Sequence, residues 1–141
     1  MIGLVVITHS GLAEEYLRAA EMIIGAIPKA EAISIDRSFD VAGARELLEE
    51  VLERIGSDGA GVLIMTDMFG GTPTNIGVEF LEEGKIEILT GVNLPMILKF
   101  SSARLTHNLD ELAALLKDYG QQNIMRPAEL LKGAGDGITP S

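Results

Sequence analysis

Continuous apolar runs alternate along the chain with stretches in which apolar residues recur every three or four positions. Ile2 to Thr8 is the first run, rich in β-branched residues. It suits a strand buried on both faces of a parallel sheet. From residue 12 to residue 27 the period changes. Ala13, Tyr16, Leu17, Ala20, Ile24 and Ile27 share one helical face, opposite Glu14, Glu15, Arg18 and Glu21, and Gly25 and Pro28 mark the stop. Ala30 to Ile35 reads as a second strand. Asp40 can cap a second helix whose stripe is Val41, Ala44, Leu48, Val51 and Ile55, ended by Gly56. Gly61 to Thr66 is a third buried strand. Thr72 then reads as an N-cap and Pro73 as the first position of a third helix running to about Leu81. Lys85 to Thr90 is a fourth strand. Pro95 opens a short helix carrying Met96, Ile97 and Phe100. Asn108-x-x-Glu111 resembles a capping box for a last helix with Leu109, Leu112, Leu116 and Tyr119 on one side. Residues 123–131 stay open: Pro127 argues against a central strand but allows an edge strand.

Strand–helix alternation of this kind specifies an α/β fold with a mainly parallel sheet. Right-handed crossovers then place helices on both faces. The common doubly wound arrangement has strand order 2-1-3-4. Its ligand crevice lies outside the carboxyl ends of strands 1 and 3. At 141 residues the chain is one domain, read as 1–133, followed by a flexible tail at 134–141.

Composition narrows the function. With 47% hydrophobic and 23% charged residues, disorder and coiled coil are excluded for the bulk of the chain. Twenty-one acidic against eleven basic residues give a net charge of −10. Such a surface repels a phosphate backbone, so nucleic acid is a poor partner and a basic protein a better one. The absence of cysteine rules out disulfides and thiolate-ligated metal, and two histidines leave little for an imidazole metal site. No cofactor is expected. No run approaches the ~20 apolar residues of a spanning helix. The start lacks a basic n-region and reads as a strand rather than a signal peptide, so the cytoplasm is the expected location.

Two segments meet at the switch point: Thr8-His9-Ser10-Gly11 after strand 1, and Asp67-Met68-Phe69-Gly70-Gly71-Thr72-Pro73 after strand 3. The topology brings together a histidine and an aspartate far apart in sequence. A carboxylate that accepts from one imidazole N–H fixes the tautomer and aims the other nitrogen outward. Asp67 can do this for His9, leaving a nucleophilic nitrogen. Gly70 and Gly71 allow close backbone approach, and a helix N-terminus with the Thr72 hydroxyl can take an oxyanion. Together these residues point to phosphoryl transfer through a phosphohistidine. Taken singly, each also fits a plain loop, turn or cap. His107 precedes the cap of the last helix and reads as structural. Asp36, Arg37 and Arg104 read as solvated, and Met22, Met65, Met68 and Met96 as core or rim packing.

The stretches IGLVVITHSGLAEE, GVLIMTDMFGGTPTN and EILTGVNLPMILKF resemble, in order and spacing, the EIIA component of the mannose family of the bacterial phosphoenolpyruvate-dependent sugar phosphotransferase system. The resemblance covers about residues 1–105. It implies that His9 is the phosphorylated histidine and Asp67 its orienting aspartate. Gly70, Gly71 and Thr72, with Ser10 beside the histidine, would line the phosphoryl site. Some members carry glycine directly after the histidine, where this chain has Ser10. The family takes a phosphoryl group from the phosphocarrier HPr and passes it to EIIB, which serves the membrane components EIIC and EIID. It uses no metal and no nucleotide. Its members are homodimers that exchange an antiparallel C-terminal edge strand, for which residues 123–131 are the candidate. Because this chain stops at Ser141, EIIB is expected on a separate chain. Two rival readings are a phosphoryl-donor module serving dihydroxyacetone kinase and a regulatory binding module without flux. GVNLPM and DMFGGTP favour the sugar system over the kinase.

Overall fold

The computed structural model describes residues 1–38 and 40–133. Four strands, β1 (Gly3–His9), β2 (Ala30–Ile35), β3 (Val62–Thr66) and β4 (Ile86–Thr90), form one sheet in the order β2-β1-β3-β4. Every pairing is parallel, with Leu4 opposite Ala30, Gly3 opposite Val62 and Val62 opposite Ile86. The doubly wound α/β arrangement expected from the pattern is the one observed.

Alternation along the two central strands divides the core. Leu4 and Val6 of β1 and Leu63 and Met65 of β3 face helices α1 (Leu12–Ile24), α4 (Leu94–Ala103) and α5 (Leu109–Gln122). Val5 and Ile7, with Val62 and Ile64, face α2 (Val41–Ile55) and α3 (Gly71–Val78). Leu4, Val5, Val6, Leu63, Ile64 and Met65 are all inaccessible. These two strands are thus buried on both faces, which is why they read as unbroken apolar runs. β4 is one of the sheet's two outer strands, and all five of its residues are only partly buried.

Most helix boundaries follow the capping signals. Asp40 accepts from Ala42 N, Asn93 from Met96 N, and Asn108 forms the full capping box with Glu111. α1 stops at Ile24, short of residue 27, because Gly25 turns to φ 82° and returns its N–H to Glu21 O. α3 starts two residues before the expected position. Gly70 is its N-cap, so Thr72 is the second helical residue rather than the cap, and the helix ends at Val78 rather than near Leu81. Pro73 still lies in the first turn, where its missing N–H costs nothing.

Three expectations need correction. The candidate edge strand at 123–131 is replaced by helix α6 (Pro127–Gly133). Pro127 is its first residue, and Ala128, Glu129, Leu130, Leu131 and Lys132 all favour a helix. Arg104 is buried, with 5% of its surface exposed. It ends α4 beneath the start of β1, where Nη1 donates to Ile2 O at 3.0 Å and Pro28 O at 2.7 Å, and its guanidinium stacks on Phe100. Met65 and Met96 are core residues, but Met22 lies off the Ala13–Leu17–Ala20 stripe and is 90% exposed, and Met68 is also exposed. The tail expected at 134–141 lies outside the described residues.

Candidate functional site

A parallel sheet sends every strand's carboxyl end to the same side. The loops after β1, β2 and β3 therefore converge, and His9, Ser10, Ile35, Asp36, Arg37 and Thr72 line a cleft of about 400 Å³ between them. His9 is the last residue of β1, and its side chain is about half exposed. Asp67 follows β3 directly, with its side chain 13% exposed.

The two residues are joined twice through one oxygen. Asp67 Oδ2 accepts from the His9 backbone N–H at 3.1 Å and lies 2.8 Å from Nδ1 of the ring. A carboxylate only accepts, so Nδ1 carries the proton and Nε2 keeps its lone pair. The backbone bond also fixes the position of the ring's own main chain. Asp67 Oδ1 is buried and has no hydrogen-bond partner among the described residues. The carboxylate thus turns its paired oxygen to the histidine.

Nε2 faces the start of α3. A Cβ added at Gly71 would lie 2.9 Å from His9 Cε1 and 3.1 Å from Nε2, and Gly71 has φ 79°. Only glycine leaves that space open and takes that backbone without strain. Among the described residues no side chain bonds the first N–H groups of α3, whereas Asp40, Asn93 and Asn108 cap their helices. Unpaired N–H groups and the positive dipole end therefore lie beside the nucleophilic nitrogen, with Thr72 on the cleft wall.

Two buried threonines that the apolar reading of the strands passed over hold these loops in shape. Thr8 Oγ1 accepts from Ala13 N at 2.8 Å, capping α1 in place of Gly11, and donates to Ser10 O at 3.3 Å. Thr66 Oγ1 lies 2.7 Å from Thr74 Oγ1, which donates to Met68 O at 2.5 Å. The signal was present in the sequence: each central strand ends its apolar run on a hydroxyl. Ser10 itself has φ 52°, the left-handed region that suits glycine and strains other residues by about 1 kcal/mol or more. Its N–H donates to Ile35 O at 2.7 Å, which helps hold the turn.

The remaining candidates sort cleanly. His107 lies at the junction of α4 and α5, its Nδ1 2.9 Å from Ala103 O and 3.0 Å from Thr106 Oγ1, away from the cleft. Arg37 is exposed as expected, but it lines the cleft, which the sequence reading missed. Among the described residues no three His, Cys, Asp or Glu side chains converge as a metal site would need. No helix there is long and apolar enough to cross a membrane.

The chain is similar to known proteins in sequence and in fold. Residues 3–117 match the EIIA-man family model, described as PTS system fructose IIA component. The mannose-specific EIIAB component of Escherichia coli K12 is 30% identical over 131 residues, covering 87% of this chain but 38% of that protein's length. The chain thus spans well under half of that relative. The fructose-specific EIIA component of Bacillus subtilis is 28% identical over 133 residues, 94% of this chain and 90% of its own. Among solved structures, the EIIA component from Streptococcus agalactiae superposes with a TM-score of 0.80 at 25% identity, covering 92% of this chain and 99% of that one. The mannose/sorbose-specific IIA subunit from Enterococcus faecalis gives 0.76 at 28% identity, covering 88% and 92%.

Proposed function

Because the chain belongs to the EIIA-man family of phosphotransferase-system IIA components, we propose that it is a phosphoryl carrier. His9 accepts a phosphoryl group from phospho-HPr and passes it to EIIB during sugar uptake. The observation that carries this reading is the His9–Asp67 pair, whose free Nε2 faces an uncapped helix start across Gly71.

Each residue has a role in the transfer. The lone pair on Nε2 attacks phosphorus in line with the donor nitrogen, while the proton on Nδ1 stays in place. The ring becomes positive as the new bond forms, and the Asp67 carboxylate stabilises that charge. Developing charge on the phosphoryl oxygens meets the N–H groups of Gly71 and Thr72, the Thr72 hydroxyl and the turn at Ser10. The reverse polarity, with EIIB as acceptor, returns the histidine to its starting state. The acidic surface suits a basic rim on HPr.

Two further elements belong to this reading. Among the described residues the edge of β4 beyond the Glu82–Ile86 bridge has no strand partner, and Ile124, which shares a cleft with Ile88, Leu89 and Thr90, is 79% exposed. Sheets seldom leave such an edge open, which favours a homodimer that covers it. In this reading the protein works in the cytoplasm and reaches the membrane only through EIIC and EIID.

The test is reconstitution with phosphoenolpyruvate, Enzyme I, HPr and EIIB. The wild-type protein acquires acid-labile phosphate and discharges it to EIIB. His9→Ala abolishes labelling and His107→Ala keeps it. Labelling that survives loss of His9 overturns the assignment, and labelling without discharge to EIIB overturns the carrier role.

A further inference from the structure

Every arginine in the described structure except one is engaged. Arg18, Arg45, Arg54 and Arg126 each pair with a glutamate, and buried Arg104 donates to two carbonyls. Arg37 makes no hydrogen bond or ion pair with any described residue. This is unexpected in a chain with 21 acidic and 11 basic residues. Its neighbour Asp36 is turned to its own loop, where Oδ1 accepts from Ser38 N at 2.9 Å and Ser38 Oγ at 2.6 Å. The unpaired guanidinium stands on the wall of the cleft that holds His9 and Thr72.

We propose that Arg37 is a phosphoryl-binding residue, a charged fork that closes on the group carried by His9 from the side opposite the α3 N-terminus. The inference rests on the phosphoryl-carrier reading for its substrate and on the cleft geometry for its residue. The chemistry is specific. A phosphoryl group on Nε2 carries two negative charges on three oxygens, and α3 supplies only neutral donors. A guanidinium offers paired N–H groups that match two such oxygens and keeps its charge at all working pH values. During transfer the donor's phosphorus–nitrogen bond breaks as the bond to His9 Nε2 forms. The donor nitrogen keeps the electron pair and the His9 Nδ1 proton does not move. Arg37 takes no part in bond making; it neutralises the oxygens in flight. A carboxylate partner in the empty protein would have to be displaced first, so leaving Arg37 unpaired keeps it ready.

The β2–α2 loop that carries Arg37 also explains a feature of the fold. Ser10 N donates to Ile35 O, which ties the loop after β1 to the end of β2. The histidine and the arginine are therefore held on adjacent, hydrogen-bonded strands, with His9 in register with Ile35, two residues before Arg37.

The experiment compares wild type, Arg37→Ala, Arg37→Lys and Arg54→Ala. Arg54→Ala removes the same charge at the opposite end of the sheet, where Arg54 pairs with Glu31. Quenched-flow transfer from phospho-HPr is expected to slow on the order of tenfold or more in Arg37→Ala, to recover in part with lysine, and to stay near wild type in Arg54→Ala. Inorganic phosphate, titrated against each protein and followed by the His9 ring signals in NMR, is expected to bind wild type and to lose roughly tenfold in affinity without Arg37. Equal slowing by both alanine variants makes the effect one of net charge and overturns the proposal. So does Arg37→Ala with wild-type transfer and phosphate affinity. If the wild-type protein takes no phosphoryl group, the carrier reading fails, and the phosphate titration alone then decides whether Arg37 is an anion-binding residue.

Discussion

The two ends of the sheet use charge in opposite ways. At the amino-terminal end, charges are consumed by the fold. Lys29 Nζ and the Met1 amine both reach Asp58, and Arg104 is spent on the carbonyls of Ile2 and Pro28. At the carboxyl end they are left available. Half-exposed His9 has one nitrogen fixed and one free, Asp67 keeps a buried oxygen without a partner, and Arg37 has no ion pair among the described residues. Satisfying a polar group stabilises the native state; leaving it unsatisfied reserves it for a ligand or a reaction. Substitutions at the carboxyl end should therefore change transfer more than stability, and those at the amino end the reverse.

Asp67→Asn tests the first half most severely. The amide fits the same space but carries no charge to stabilise the positive ring, and its NH2 group favours the wrong tautomer. Phosphoryl transfer is expected to fall by on the order of 10²-fold or more. The urea midpoint should stay close to wild type, because among the described residues Oδ1 already lacks a partner and Oδ2 bonds only His9. A variant that transfers normally, or one that unfolds, would break the contrast.

Arg104→Ala tests the second half. Truncation strands the carbonyls of Ile2 and Pro28 and removes the plane stacked on Phe100. The guanidinium is itself held at a cost: its Nε has no partner among the described residues, and burial pulls its pKa below the ordinary arginine value. Loss of the buried bonds is expected to outweigh relief of that cost, with a net destabilisation of about 1–3 kcal/mol. Equilibrium unfolding reads this, and the transfer rate of the folded fraction should be unchanged. A rate that falls with stability would show that the two ends are coupled through β1.

How much of this was legible in the sequence divides along the same line. The β1 and β3 runs announced their burial because both faces are covered, and the capping residues Asp40 and Asn108 announced their helices. His9 and Asp67 could be placed together because parallel topology dictates where strand ends meet. Arg104 could not be, since nothing local distinguishes an arginine that snorkels to water from one turned under β1. The segment after Gln122 was ambiguous for a related reason. Pro127 is compatible with an edge strand and with a helix start, and only the run of helix-forming residues after it favours the observed α6. Arg37 was passed over because its meaning lies in what it does not touch, which no spacing rule can show.

The smallest expected effect concerns Asp58, and it tests whether the amino-terminal charges are structural at all. Hydrogen bonds from Lys29 Nζ at 2.8 Å, from the Met1 amine at 2.7 Å and from Ala60 N at 3.0 Å hold its carboxyl well below the ordinary aspartate range. A depressed native pKa means that the unfolded chain takes up the proton first as pH falls. Asp58 therefore adds stability at pH 7, keeps it down to the ordinary aspartate value near pH ~4, and loses it progressively as the pH falls further toward its lowered native value. Asp58→Asn removes that contribution at every pH. The stability gap between wild type and Asp58→Asn should be constant from pH 7 to about 5, then narrow below ~4. Because the cluster is exposed, the gap is small and should shrink as salt screens the charges. Urea titrations across this pH series at two salt concentrations measure it. A gap that widens toward acid would mean that Asp58 is strained rather than stabilised by its neighbours, and the amino-terminal end would then share the reserve of unspent charge found around His9.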